Sequence, residues 1–240
     1  MNFWVYLSLV GSVALGGVLA AVFQRRRKRL LPLMLSFSGA YLLAVSVLHL
    51  APEVFASAQR QVPFYVLGGF FLQLVLEQLS GGVEHGHLHG PRRPSVGFAL
   101  AVMLGLSLHA LFEGLPLEHY HHLHRHEPGG GWHLLYGLLL HKVPAAFALA
   151  LLLLESGYPR RGILLCLTVF ALMTPLGGWL GQNSTALAEA GTLVLAFVLG
   201  SFLHISTTIL FEMDPSSHHR INPWKLLAVL SGLGAALLSG

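Results

Sequence analysis

Eight apolar stretches divide this chain, at residues 2–23, 31–50, 63–80, 95–116, 133–154, 162–181, 189–211 and 224–239. A helix that crosses about 30 Å of hydrocarbon needs about 20 mostly apolar residues, so each stretch is a candidate span. Repetition at that length points to one fold class, an all-α polytopic membrane bundle of eight transmembrane helices. Charged residues make up only 10% of the 240 and hydrophobic residues 54%, whereas soluble domains carry about 25% charged residues. Pro63, Pro159, Pro215 and Pro223 fall at the edges of the stretches, where the missing backbone donor does least harm. The first stretch has no basic residue ahead of it and the block Arg25-Arg26-Arg27-Lys28-Arg29 just behind it. That is the reverse of a signal peptide, so it reads as a retained span.

Charge gives the orientation. Loops 24–30, 81–94, 155–161 and 212–225 hold eleven Lys or Arg residues, the five just named with Arg92, Arg93, Arg160, Arg161, Arg220 and Lys225. The opposite loops hold two, Arg60 and Arg125, and Lys142 lies within a span. The positive-inside rule then places both termini outside the cytoplasm. The formal net charge of +4 is explained by topology and calls for no nucleic-acid partner. The lone Cys166 excludes an internal disulfide framework. Short loops leave residues 1–240 as one transmembrane domain, located in the cell membrane as a multi-pass protein, the inner membrane in a Gram-negative bacterium.

Two loops are rich in histidine. The cytoplasmic loop 81–94 contains Glu84-His85-Gly86-His87-Leu88-His89, and the outer loop 117–132 contains Glu118-His119-Tyr120-His121-His122-Leu123-His124-Arg125-His126. Neutral imidazole is a common ligand for zinc and its neighbours, so both tracts are candidates for metal capture.

Ionisable groups inside a span cost about 2.5–3.5 kcal/mol each on insertion scales and tend to line a functional interior. His109 and Glu113 sit four residues apart in the fourth span, on one helical face, where they can share a divalent cation. In the fifth span, His141 and Lys142 precede Pro144, whose missing donor loosens a helix one turn back. His49 and Glu53 repeat the four-residue spacing around Pro52 at the outer end of the second span. His204 lies mid-way along the seventh, with Glu212 near its cytoplasmic end. Together these groups read as a polar pathway.

The strings HALFEG (109–114), HKVPAA (141–146), HLAPE (49–53) and GSFLHIS (200–206) resemble the ZIP (Zrt-, Irt-like) divalent metal transporters. In that family the fourth span typically reads HNxPDG and the fifth HExPHE. The resemblance implies eight spans with both termini outside, a His-rich cytoplasmic loop after the third span, and an inverted repeat relating spans one to three and six to eight. Family members commonly build a two-metal site. Here Ala110, Phe112, Lys142, Ala145 and Ala146 stand where the family has Asn, Pro, a carboxylate, His and Glu. Only His109, Glu113 and His141 carry over as ligands, which implies a single-metal site completed by His49 or His204. Lys142 then needs a counter-ion, Glu113 or Glu53, and supplies the charge of the second metal.

The resemblance implies uptake toward the cytoplasm, and His/Glu ligation without thiolate suits Zn²⁺ first, then Fe²⁺, Mn²⁺, Co²⁺ or Cd²⁺. The metal is cargo, and no separate cofactor is expected. The competing reading is an intramembrane zinc hydrolase with Glu113 as general base, against which weigh the His tracts on both sides of the membrane. Small-residue runs at Gly177-Gly178 and Gly200-Ser201 permit close helix packing, within the bundle or in a homodimer.

Overall fold

The computed structural model describes residues 2–86, 88, 90, 91, 93–124, 131–211 and 222–238. All eight apolar stretches are helical, and the described residues contain no strand. The helices are α1 (Phe3–Phe23), α2 (Arg27–Val45), α3 (Ala51–Ala56), α4 (Val62–Ser80), α5 (Val96–Gly114), α6 (Leu117–Leu123), α7 (His133–Glu155), α8 (Arg160–Asn183), α9 (Thr185–Glu189), α10 (Gly191–Phe211) and α11 (Pro223–Leu238). Among the described residues, six helical stretches are long and apolar enough to cross a membrane, and Pro223–Leu238 is a shorter apolar helix.

The first of the six is the run Phe3–Ala56, 54 residues without a loop. As one straight rod it would measure about 81 Å, against about 30 Å of hydrocarbon. A single 3₁₀ turn, Gln24–Arg26, separates α1 from α2. Both helices lie along α7, which has only 23 residues, so the chain reverses at that turn. The loop expected at 24–30 is therefore three residues long. The run next widens into a π turn at Ser46–Leu50, which carries His49, before α3.

The long helices fall into two groups. In one, α1 lies along α7 and α8, and α5 along α8. In the other, α4 lies along α10, and α2 along α10 and α11. The groups meet where α4 packs on α5 and α2 on α7. Glycine sets the closest approaches: a Cβ at Gly69 would run into the Phe197 carbonyl, one at Gly200 into the Val66 carbonyl, and one at Gly177 into the Leu111 carbonyl. Gly177 and Gly200 are thus spent on packing within the chain rather than on a dimer face.

Helix α7 stays helical through Pro144, so the expected loosening near His141 does not interrupt it. Part of the expected histidine-rich loop after α5 is helical, because Leu117–Leu123 forms α6. After α4, Gly81 and Gly82 both adopt left-handed backbone, at φ +65° and +72°, a region glycine enters without steric penalty. The chain turns back there, and the 3₁₀ turn Val83–His85 tucks Val83 and Glu84 into the interior.

Candidate metal centre

Helices α5 and α7 bring together the pair expected from the sequence. His109 and Glu113 share one face of α5, with His109 Nε2 3.3 Å from Glu113 Oε2. The His141 ring on α7 stands 6.0 Å from the His109 ring, nearly perpendicular to it. All three side chains are buried. Lys142 forms its ion pair with Glu113 Oε1 and lies 4.7 Å from the centre of the Phe170 ring. Glu113 rather than Glu53 is therefore the counter-ion.

The two oxygens of Glu113 have separate surroundings. Oε1 meets the Lys142 ammonium and accepts a hydrogen bond from Thr174 Oγ1 at 2.9 Å. The Thr174 hydroxyl also reaches the Ala110 carbonyl at 2.8 Å. Oε2 faces His109 and has no hydrogen-bond partner among the described residues. His109 is oriented from its other side, since Nδ1 lies 3.0 Å from Gln73 Oε1. An amide oxygen only accepts, so Nδ1 carries a proton and Nε2 is the nitrogen that faces the centre. Among the described residues, His109 Nε2 and both ring nitrogens of His141 have no hydrogen-bond partner. Buried polar atoms are nearly always paired, so this concentration of unsatisfied donor atoms marks a place built for something else.

Sequence reasoning missed several members of this network. Gln73 Nε2 donates to Glu84 Oε2 at 3.0 Å, and Ser201 Oγ donates to Gln73 Oε1 at 3.0 Å. Glu84 Oε1 comes within 3.8 Å of His109 Nε2. Burial pushes the Glu84 carboxyl above its ordinary range, partly opposed by His109. Glu84 was legible only as one residue of a polar loop. Gln73 and Glu77 had a clearer signal, since both lie in the third apolar stretch, four residues apart. Thr174 had none, because hydroxyls are ordinary in such helices.

The other expected ligands fall elsewhere. His204 pairs with Glu77, Nε2 to Oε2 at 2.5 Å, with His85 Nδ1 3.4 Å from the other Glu77 oxygen. His49 stacks on His133, rings 4.2 Å apart and 7° from parallel. The structure therefore gives His49 and His204 these neighbours, and it is Glu84 that approaches His109. Glu53 meets His124 Nε2 at 3.3 Å, His122 meets Glu118 at 3.0 Å, and His121 packs on Trp132. His119 lies against Gly191. His87, His89, His126 and Glu212 lie outside the described residues. Among the described residues, no three His, Cys, Asp or Glu side chains already stand in metal-holding geometry.

Fold and centre together define a polytopic membrane protein with imidazole and carboxylate donors buried between its helices. The family profile for ZIP zinc transporters matches residues 84–240, which include every residue of the centre on α5 and α7. Zinc transporter ZIP1 of Homo sapiens is 31% identical over 266 aligned positions, covering 89% of this chain and 78% of that protein. ZIP1 of Mus musculus is 30% identical over the same spans. Zinc transporter ZIP9-B of Xenopus laevis is 29% identical over 163 positions, 62% of this chain and 52% of that one. The chain belongs to the ZIP family of zinc transporters. Its members are transporters and not enzymes, so the hydrolase reading is not favoured.

Proposed function

We propose that this protein carries Zn²⁺ across the cell membrane toward the cytoplasm through one site, made by His109 Nε2, Glu113 Oε2 and His141. The observation that carries the reading is His141, 1% exposed, with neither ring nitrogen hydrogen-bonded among the described residues and with an imidazole nitrogen and a carboxylate oxygen on the neighbouring helix that likewise have no hydrogen-bond partner there. A cation entering there satisfies all three at once. Glu84 is the fourth donor in this reading, in place of His49 or His204. The relatives' names support zinc as cargo, and the ligand set admits Fe²⁺, Mn²⁺, Co²⁺ and Cd²⁺ more weakly.

Lys142 limits the site to one metal. Its ammonium holds Glu113 Oε1, where a second cation would otherwise bind, and like charges that close repel strongly in a low dielectric. Direction rests on the family resemblance, which implies uptake, and the eleven-to-two asymmetry of basic residues orients the chain, supporting eight spans with both termini outside. Metal would be gathered by the α6 histidines and Glu53 on the outer side and leave past Glu77, His85 and His204. The metal donors on α5 and α7 belong to one helix group, while Gln73, Glu77 and His204 belong to the other. Sliding one group past the other would part His109 from Gln73 and alternate access to the centre.

Metal counting on purified protein tests the site. One zinc per chain at saturation is expected, falling to none in His141→Ala; unchanged stoichiometry in that variant places the metal elsewhere.

A further inference from the structure

A groove of about 700 Å³ runs along the outer surface of α1, α7 and α8. Its walls are apolar over most of their length, from Val10, Val13 and Val18 on α1 and Leu164, Leu167 and Leu172 on α8. Its strongly polar lining residues, Gln24 and Arg160, both sit at one end. From Val10 to Gln24 the α1 wall spans about 21 Å, and from Arg160 to Leu172 the α8 wall spans about 18 Å. A single leaflet contributes about 15 Å of hydrocarbon. The groove is thus as long as one leaflet and its headgroup layer, and it is polar only where the headgroup lies.

The polar end is also strongly basic. Arg160 has no acidic or hydrogen-bonding partner among the described residues, and Arg25, Arg26 and Arg161 adjoin Gln24 and Arg160 in the chain. The nearby carboxylate, Glu155, is already paired with Arg27. We propose that this groove is a binding site for one anionic glycerophospholipid, its acyl chain between α1 and α8 and its phosphate at Arg160. A zwitterionic lipid fills the same apolar walls but brings a cationic group to a cluster that already repels one. The inference rests on the membrane-spanning reading of α1, α7 and α8 and on nothing about zinc.

The test is lipid retention by the full-length protein, purified from an equimolar mixture of phosphatidylglycerol and phosphatidylcholine and read by native mass spectrometry. Phosphatidylglycerol should be retained about five-fold or more over phosphatidylcholine, as one well-placed basic residue allows. Arg160→Gln should erase the preference and Arg160→Lys should keep it. Ala21→Phe, which fills the groove beside its basic end, should lower retention of both lipids. Equal retention of the two lipids by the unmodified protein, or a preference that survives Arg160→Gln, overturns the proposal. Should Arg160→Gln fail to fold, undiminished retention in Ala21→Phe overturns it alone.

Discussion

The divided carboxylate of Glu113 is the residue on which the centre turns. One oxygen neutralises Lys142 and the other faces His109. Removing one partner of a buried ion pair leaves an uncompensated charge, at about 3–5 kcal/mol. Glu113→Gln should therefore lower the melting temperature markedly as well as abolish zinc binding. Lys142→Met strands the Glu113 carboxylate instead and should cost less stability, because that carboxylate keeps the Thr174 hydroxyl as a donor, whereas in Glu113→Gln the Lys142 ammonium is left against the face of the Phe170 ring. Thermal unfolding of the two variants, measured side by side, checks the order. Lys142→Glu should admit a second metal, raising the count from one to two per chain; a count that stays at one would show that Lys142 does not stand in for a cation. Gln73 acts on the metal only through His109, so Gln73→Leu should keep the fold and weaken zinc binding about 10–100-fold, as lost orientation of a metal-bound histidine usually does. An isothermal titration with unchanged affinity would remove Gln73 from that role.

At the scale of elements, adjacent glycines on α4 make a paired test. Gly68 faces open space, whereas a Cβ on Gly69 would strike the Phe197 backbone on α10. Glycine costs about 0.5–1 kcal/mol relative to alanine inside a helix. Gly68→Ala should thus leave stability unchanged or raise it, and Gly69→Ala should lower it by about 1–3 kcal/mol by prising α4 from α10. Denaturation midpoints for the two variants decide the matter. The helices themselves were legible because each is an apolar run of membrane length: expected stretches 63–80, 133–154 and 189–211 emerge as Val62–Ser80, His133–Glu155 and Gly191–Phe211. The His109, Glu113 and His141 constellation was legible for a related reason, since an ionisable group in such a run stands out. What could not be read was tertiary. Nothing in Glu84's neighbourhood in sequence says that Gly81 and Gly82 turn it inward, and His49 and His204 resemble His141 until their neighbours His133 and Glu77 are seen in space. Glu77 was visible by the rule that found Glu113, and was hidden only by the polar loop beginning a few residues later.

Across the whole molecule, the donors on α5 and α7 share a helix group with Thr174, whereas Gln73, which orients His109, lies on the other group. His109, Glu113, His141 and Thr174 ride on α5, α7 and α8, whereas Gln73, Ser201 and His204 ride on α4 and α10. The groups are also tied near the basic turn by the Arg27–Glu155 ion pair. Orientation can be read directly, because Cys166 is the only cysteine. With Cys166→Ser as background, Lys28→Cys should react with an impermeant maleimide only from the cytoplasmic side and Gln59→Cys only from the outer side; the reverse pattern would invert the topology and with it the direction of transport. The central claim is that zinc crosses through His109, Glu113 and His141. Its most direct test is flux of radioactive zinc into proteoliposomes holding the purified protein. Saturable uptake that His109→Ala and His141→Ala each reduce to the level of empty liposomes is the predicted result. Zinc bound by the protein with no flux, or flux that survives both substitutions, would contradict it.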